Sequence, residues 1–210
     1  MKQGVHWSVR GVAGWAALML LARCGGETSD TAGSSRCQES SALEPRQVDL
    51  APTDDAYVEE GLEEPRSGAE RKLVADNLSR RSAFLRFEVP AQQGPVRRAT
   101  LRLYAMDGST DGPKLYPATT DWSEDSLTWS QQPSVTGGLL GDVGDVPHGS
   151  WVEYDVTSFV TGSGPYGFAL ITESRNGVDF ASKEHVRLEW APRLILSVEA
   201  PASEDCAANP

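Results

Sequence analysis

The sequence predicts an all-β fold, an antiparallel β-sandwich built from about ten short strands. Two segments alternate apolar and polar side chains with a period of two, and further short apolar runs are separated by turns rich in Gly, Asp and Pro. The one helical hint is a single turn at residues 155–160, capped by Asp155 or Thr157. These patterns favour two packed sheets over any fold with structural helices.

The two alternating segments predict half-buried antiparallel strands, because successive side chains of a strand point to opposite faces. Ala83–Val89 places its apolar side chains on one face and Arg86 and Glu88 on the other. Ala99–Tyr104 repeats the pattern, with outward side chains at Thr100, Arg102 and Tyr104.

Shorter runs predict the remaining strands, and turn formers separate them. We expect strands at Val48–Ala51, Ala56–Val58, Leu73–Ala75, Lys114–Pro117, Leu139–Val143, Trp151–Tyr154, Phe168–Thr172, Val178–Ala181 and Arg193–Val198. The segment Asp107–Gly112 is predicted to be a hairpin turn; it resembles a calcium loop but lacks the alternating acids and the closing Glu.

The start of the chain has the pattern of an export signal followed by a tether. Lys2 and Arg10 precede an apolar run at Val12–Leu21, which is too short to span a bilayer. We therefore expect a signal peptide over residues 1–24 and a flexible polar tether over residues 25–47. One folded domain follows at residues 48–200, with a tail at residues 201–210.

The three cysteines leave two questions open: whether Cys24 is lipidated, and whether Cys37 and Cys206 form a disulfide. Leu21–Cys24 resembles the lipobox of bacterial lipoproteins, in which the cysteine is lipidated, although Arg23 stands where a small residue is usual. The alternative is ordinary secretion after cleavage beside Ala22 and Cys24. If Cys24 is modified or removed, Cys37 and Cys206 form either a disulfide between the two ends of the domain or a pair of free thiols. We expect location outside the cell in either case.

The charge is strongly acidic but uneven. The net charge is −11 at pH 7, and loss of three basic residues with the signal (19 to 16, against 30 acids) makes it −14. Residues 65–103 nevertheless hold nine basic and three acidic residues. The overall charge argues against nucleic acid or an anionic membrane as a partner, and the basic region stands out as a surface for an anion.

Seven segments together resemble the DNRLRE domain, now grouped as carbohydrate-binding module family 96. They are Arg81–Phe87, Ala99–Tyr104, Asp121–Trp129 with Pro133 after it, Trp151–Thr157, Gly167–Leu170, Phe180–Glu184 and Pro192–Leu194. Their order and spacing span residues 48–198, almost the whole predicted domain. The resemblance implies a jelly-roll-like β-sandwich, in agreement with the strand pattern.

The resemblance also implies a binding site for an acidic, alginate-like polysaccharide. Characterised members of the family bind through basic residues near the start of the domain, with aromatic help. The matching candidates in this sequence are Tyr57, Arg66, Arg71, Lys72, Arg80, Arg81 and Arg86. Guanidinium and ammonium groups suit this role because they form charge-assisted hydrogen bonds with carboxylates. Trp122, Trp129 and Trp151 are either sugar-stacking platforms or packed structural residues, and the regularity of their segment favours structure.

The sequence offers no catalytic or metal-binding motif. It lacks the His-Glu-x-x-His and Gly-x-Ser-x-Gly patterns, has no Cys-x-x-Cys, and its acids are too numerous to single out a glycosidase pair. We therefore expect a monomeric, non-catalytic polysaccharide-binding protein without a cofactor or metal. The alternative is a structural or protein-interaction sandwich without a glycan site, which the acidic segment Glu59–Glu64 beside the basic region favours.

Overall fold

A computed structural model describes residues 44–65 and 69–200, and within them the predicted all-β fold is confirmed. The strands are β1 Arg46–Leu50, β2 Asp54–Glu59, β3 Lys72–Ala75, β4 Arg81–Val89, β5 Val96–Asp107, β6 Lys114–Ala118, β7 Gly141–Asp142, β8 Ser150–Asp155, β9 Gly164–Ile171, β10 Val178–Ala181 and β11 Arg193–Val198. Single 3-10 turns lie at Glu124–Ser126 and Leu188–Trp190. None of the helical segments described here is long and apolar enough to cross a membrane.

The strands form two antiparallel sheets. Sheet A has six strands in the order β1-β11-β5-β10-β3, and β8 pairs with β5 as well. Sheet B has five strands in the order β2-β4-β9-β6-β7. Most neighbours in each sheet are distant in sequence, so the sandwich is held by long-range pairing.

The main hydrophobic core lies between the two sheets. Strand β5 contributes four fully buried side chains at alternate positions, and β4 contributes another alternating set, as the period of two predicts. Phe87 of β4 and Phe168 of β9 meet edge to face, with ring centroids 5.9 Å apart. On β8, Tyr154 is buried in the same core and donates a hydrogen bond to the carbonyl of Pro113 at 2.7 Å.

A second, smaller core closes the outer face of sheet B. Ala56, Val58, Phe84 and Ala169 point away from the first core, and Leu127 packs over them together with Trp122 and Trp129. The covering segment comes from the chain after β6, residues 119–131. Both faces of sheet B are therefore buried along β2 and β4, which explains why Asp54–Val58 is buried at every position.

The covering segment lies directly on strand β9. A Cβ atom on Gly167 would lie 2.5 Å from the carbonyl oxygen of Ala118 and 2.8 Å from that of Thr119. Only glycine accepts so close an approach of another backbone.

Two local predictions are corrected or refined. The segment 107–112 is not a hairpin turn, because β5 lies in sheet A and β6 in sheet B; it is a connection that crosses between the sheets. The helical hint at residues 155–160 is one turn that ends with the hydrogen bond Val160 N to Val156 O, 2.9 Å. Its cap is Asp155, which accepts hydrogen bonds from the backbone and hydroxyl of Thr157.

Several predictions fall outside the described residues. They concern the signal and lipidation site with Cys24, the tether up to residue 43, the Cys37 to Cys206 pairing and Arg66. Strand β1 begins at Arg46, so the sandwich starts two residues before the predicted domain boundary at residue 48.

Candidate functional site

The described basic candidates lie at three separate places. Arg80 and Arg81 lie at the start of β4, beside the end of β2, and Arg71 and Lys72 lie at the start of β3. The residue after β3, Asp76, forms a backbone bridge with Arg81, so the two pairs lie at opposite ends of this short strand, about 15 Å apart. Arg86 lies five residues further along β4.

The pair Arg80 and Arg81 forms, with Glu59, Glu60 and Trp129, a site that we call the β4 corner. Arg81 is held by two hydrogen bonds to the carboxylate of Glu59, at 2.9 and 3.3 Å, and these bonds raise the pKa of its guanidinium. Arg80 donates to Glu60 at 2.5 Å, and its guanidinium carbon lies 5.5 Å from the ring centroid of Trp129. The acidic segment noted in the sequence therefore pairs with the basic residues beside it.

The other basic pair is more open. Lys72 forms an ion pair with Asp179 of β10 at 2.7 Å, and its side chain is 43% exposed. Arg71 is exposed, and within the described ranges no hydrogen bond or ion pair engages its guanidinium. Arg71 is thus available to an outside anion in a way that Arg81 is not.

Arg86 is built into the covering segment of sheet B. Its guanidinium donates to Asp54 at 2.5 Å, and to the carbonyls of Thr120 and Trp122 at 3.1 and 2.9 Å. Its Nε also donates to the hydroxyl of Thr53 at 3.2 Å. Every donor group of this side chain is thus used inside the protein, and the geometry is that of a structural brace.

Tyr57 lies on the inner face of β2. Its side chain is buried and belongs to the core between the sheets. A sugar can reach this ring only if the neighbouring chain moves. The aromatic ring that accompanies the basic residues at the surface of the β4 corner is Trp129.

A cluster of charged groups lies beside the edge strand β2. The backbone N–H of Asp55 donates to Glu124 at 3.2 Å, and Asp55 accepts the backbone N–H of Lys183 at 2.8 Å. The ammonium of Lys183 donates to Glu124 at 2.9 Å and also to Glu184. Asp55 is 2% exposed. Burial, assisted by the negative charge of Glu184, raises the pKa of Asp55 well above its ordinary value.

Three carboxylates of this cluster lie close enough together to be considered as ligands for a metal ion. One carboxylate oxygen from each of Asp55, Glu124 and Glu184 lies within 4.8 Å of the others. Hard cations such as Ca²⁺ prefer such oxygens. However, the ammonium of Lys183 already supplies a positive charge between Glu124 and Glu184. The arrangement suits a buried ion network that joins sheet B to the chain after β10.

The outer face of sheet A differs from that of sheet B, because it carries aromatic and charged side chains. Tyr104 of β5 and Trp151 of β8 are directly opposite each other, with ring centroids 5.2 Å apart. Trp190 stacks on Tyr104 at 4.2 Å, and His185 stacks on Trp190 at 5.1 Å. We call Tyr104, Trp151 and Trp190 the aromatic cluster; none of the three belongs to either core.

Two arginines lie against the aromatic cluster. The guanidinium of Arg102 is 4.2 Å from the centroid of Trp151, and that of Arg187 is 4.5 Å from the centroid of Trp190. Arg102 also lies 3.3 Å from Glu153. Such cation–π contacts fix the planes of rings that would otherwise be mobile at a surface.

The comparison with protein families decides what kind of domain this is. The sequence model of carbohydrate-binding module family 96 matches residues 46–198. The chain belongs to carbohydrate-binding module family 96. No curated protein matches the sequence.

The match covers the whole sandwich of this family 96 module, from the first residue of β1 to the last residue of β11. The resemblance inferred from the seven sequence segments is therefore confirmed. Carbohydrate-binding modules act by binding, are commonly extracellular, and take a carbohydrate as their partner.

Sequence reasoning missed two features of the module. The alternation of β5 did predict that Arg102 and Tyr104 point outward, and the same rule applied to β8 would have placed Trp151 outward. The pairing of β5 with β8 joins Tyr104 to Trp151, 47 positions apart, and Trp190 returns onto Tyr104 from 86 positions away, so no local pattern reveals either contact. The charged cluster around Lys183 is equally non-local.

Proposed function

We propose that this family 96 module binds an acidic polysaccharide without cleaving it, on the outside of the cell. The observation that carries the proposal is the extent of the family match, which begins and ends with the sandwich itself. The two cores are filled by apolar side chains, so a ligand must be held at the surface of the fold. Such a module acts by retention of a polymer.

The basic region supports an anionic ligand. The pair Arg80 and Glu60 is exposed at both side chains, 59% and 44%. Exposed ion pairs contribute only about 0–1 kcal/mol, so a uronate carboxylate can replace Glu60 at little cost. Arg71 offers a second guanidinium at the other end of β3. Two cationic sites about 15 Å apart suit a polymer with repeated carboxylates better than a single sugar.

The ring of Trp129 adds a surface for the sugar itself. It lies beside Arg80 at the β4 corner, so a uronate could pack its ring on the indole while its carboxylate meets the guanidinium. Arg81, Lys72 and Arg66, which lies outside the described residues, complete the predicted set, and Arg81 serves to keep the corner rigid through Glu59.

We also propose that the protein is exported and anchored by lipid at Cys24, with a disulfide between Cys37 and Cys206. Metabolic labelling with a palmitate analogue should mark the native protein and leave the Cys24→Ala variant unmarked. Mass mapping of the unreduced mature chain should find the two cysteine peptides joined. Unlabelled native protein in the culture medium would establish simple secretion instead.

The test of the function is a binding screen of residues 25–210 by affinity electrophoresis in gels that contain a uronate polymer or a neutral glucan. We expect retention by the uronate gel, weaker retention at raised salt, and at least a fivefold loss of affinity in the Arg71→Gln/Arg80→Gln double variant. Arg175→Gln is the matched control, since Arg175 is an exposed arginine in the loop between β9 and β10. New reducing ends or unsaturated products would overturn the non-catalytic assignment.

A protein-interaction role is the second candidate, and one observation favours it. Arg80 and Arg81 already have carboxylate partners within the chain, which a module selected for anionic ligands has no need to keep. If no gel retains the protein at either salt concentration, this candidate replaces glycan binding.

A further inference from the structure

The outer face of sheet A carries aromatic side chains that take no part in the proposed basic site. The covering segment of residues 119–131 buries the equivalent face of sheet B. On sheet A the side chains of Thr100, Arg102 and Tyr104 point outward and are only half buried. Tyr104, Trp151 and Trp190 are half buried and contribute to neither core, and a group of such rings on the outer face of a sheet commonly marks a binding surface.

A groove continues from the aromatic cluster along β5. It has a volume of about 270 Å³ and is lined by Gln47, Arg98, Thr100, Glu153, Ile195, Leu196 and Ser197. The register of the sheet sets Arg102 beside Glu153, so the groove runs directly into the cluster. From Arg98 to Tyr104 the strand rises about 20 Å, which suits an extended chain of several units.

The guanidinium groups of Arg98 and Arg187 on this face form no ion pair with the described residues, although Arg98 lies near enough to Asp155 to act on its carboxylate. In a chain with 30 acidic and 19 basic residues, ion pairs engage nine of the described basic residues. Neither a hydrogen bond nor an ion pair engages the guanidinium of Arg98 or Arg187 within the described residues. Arg187 instead rests on the ring of Trp190. These groups are free to meet the hydroxyls or carboxylates of a ligand.

We propose that the open face of sheet A is a second glycan-binding surface, on which one sugar packs against the aromatic cluster and its neighbours lie in the groove along β5. This inference rests on the proposed binding of polysaccharide but places part of that binding away from the β4 corner. The flat C–H face of a pyranose fits an indole or phenol ring, and Gln47, Thr100 and Ser197 offer hydrogen bonds to hydroxyl groups.

The make-up of the face favours a glycan over a protein partner. The groove is lined by charges of both signs, by neutral polar side chains and by the two aliphatic residues Ile195 and Leu196, and the rings of the aromatic cluster lie beyond its lining. A protein interface of this size has a more apolar centre from which charged residues are depleted. A glycan, in contrast, needs rings and hydrogen-bonding groups in alternation.

The test compares two sets of variants on the glycan that retains the native mature chain. Trp151→Ala and Trp190→Ala are each expected to weaken binding about tenfold, since a ring contact is worth about that factor in affinity. Trp151→Phe is expected to keep most of the affinity, and it separates the loss of a ring from a folding defect. Thermal unfolding of every variant confirms that it is folded.

The outcomes separate the inference from the proposed function. Loss of binding in both tryptophan variants, with or without loss in Arg71→Gln/Arg80→Gln, supports a glycan surface on sheet A. Full affinity in Trp151→Ala and Trp190→Ala, with loss only in the arginine double variant, overturns the inference and leaves the proposed function intact. Failure of the native chain to bind any glycan overturns both.

Discussion

Arg86 and Asp54 are paired across strands β4 and β2, and the guanidinium of Arg86 donates to the carboxylate of Asp54 at 2.5 Å. The same guanidinium holds the carbonyls of Thr120 and Trp122. One side chain thus joins the edge of sheet B to the segment that covers it. The sequence suggests that Arg86 belongs to a ligand site, but in the structure its guanidinium binds groups of the protein itself.

The Arg86→Gln variant is expected to lose about 2 kcal/mol of unfolding free energy, because it leaves two carbonyls and the buried carboxylate of Asp54 without their donors. Urea unfolding measures this loss. Arg97→Gln is the control: Arg97 pairs with Glu199, but its side chain is 62% exposed, and we expect a change below about 0.5 kcal/mol. Equal losses in the two variants would show that Arg86 is not a brace.

Trp122 and Trp151, which the sequence does not distinguish, should differ in their contribution to stability. Trp122 packs in the second core, with its ring 6.4 Å from that of Phe84, whereas Trp151 lies on the open face. Trp122→Ala is expected to lower the unfolding free energy by about 2–3 kcal/mol, and Trp151→Ala by less than about 1 kcal/mol. Thermal and urea unfolding give the comparison, and a larger loss in Trp151→Ala would contradict it.

Asp55 should make the protein less stable as the pH rises from mildly acidic values. Its folded pKa is raised by burial, so the folded state holds this proton more tightly than the unfolded state does. The resulting stability is complete below the ordinary pKa and is lost as the pH rises through the folded pKa. Asp55→Asn can still accept the N–H of Lys183 and should remove this dependence, with stability at pH 7 equal to or above that of the native chain.

Melting temperatures between pH 4 and pH 8 test the role of Asp55. Asp155→Asn is the control, because hydrogen bonds from Thr157 lower the pKa of Asp155, and the stability this gives is lost only as the pH falls through that lowered value. Its slope above pH 4 should therefore match that of the native chain. A pH profile of Asp55→Asn identical to the native one would show that Asp55 is ionised throughout.

Gly167 should tolerate no side chain. A methyl group would meet the carbonyl oxygens of Ala118 and Thr119, which belong to backbone and cannot rotate away. We expect Gly167→Ala to cost about 2 kcal/mol, as overpacking usually costs 1–3 kcal/mol. Gly162→Ala is the control in urea unfolding, since a Cβ there meets nothing within 4 Å. Similar stability of both variants would mean that the covering segment can shift.

The strands and their inward faces could be predicted from the sequence because they depend on local alternation. Leu85 and Phe87 on β4, and Leu101 and Leu103 on β5, are buried as the period of two predicts. The connection at residues 107–112 could not be read in this way. A turn-forming sequence is compatible with a hairpin and with a crossing between sheets, and only the pairing of β6 with β9 excludes the hairpin.

The pairing of charges around the candidate site could not be predicted from the sequence, for an electrostatic reason. A run of basic residues shows where positive charge lies along the chain but not which acids lie beside it in space. Glu59 and Asp54 neutralise Arg81 and Arg86 through the register of β2 with β4. Arg71 and the exposed ion pair of Arg80 with Glu60 remain the proposed contacts for a ligand, together with the aromatic cluster on the other sheet.

The sequence by itself determined the all-β class, the strand positions and membership of a carbohydrate-binding family, because periodicity and motif order are properties of the linear chain. Only the tertiary structure decided which charges are paired, which tryptophans are covered, and which face of the sandwich is open. These depend on long-range strand register and on the path of residues 119–131 over sheet B, where side chains distant in sequence exclude water from one another.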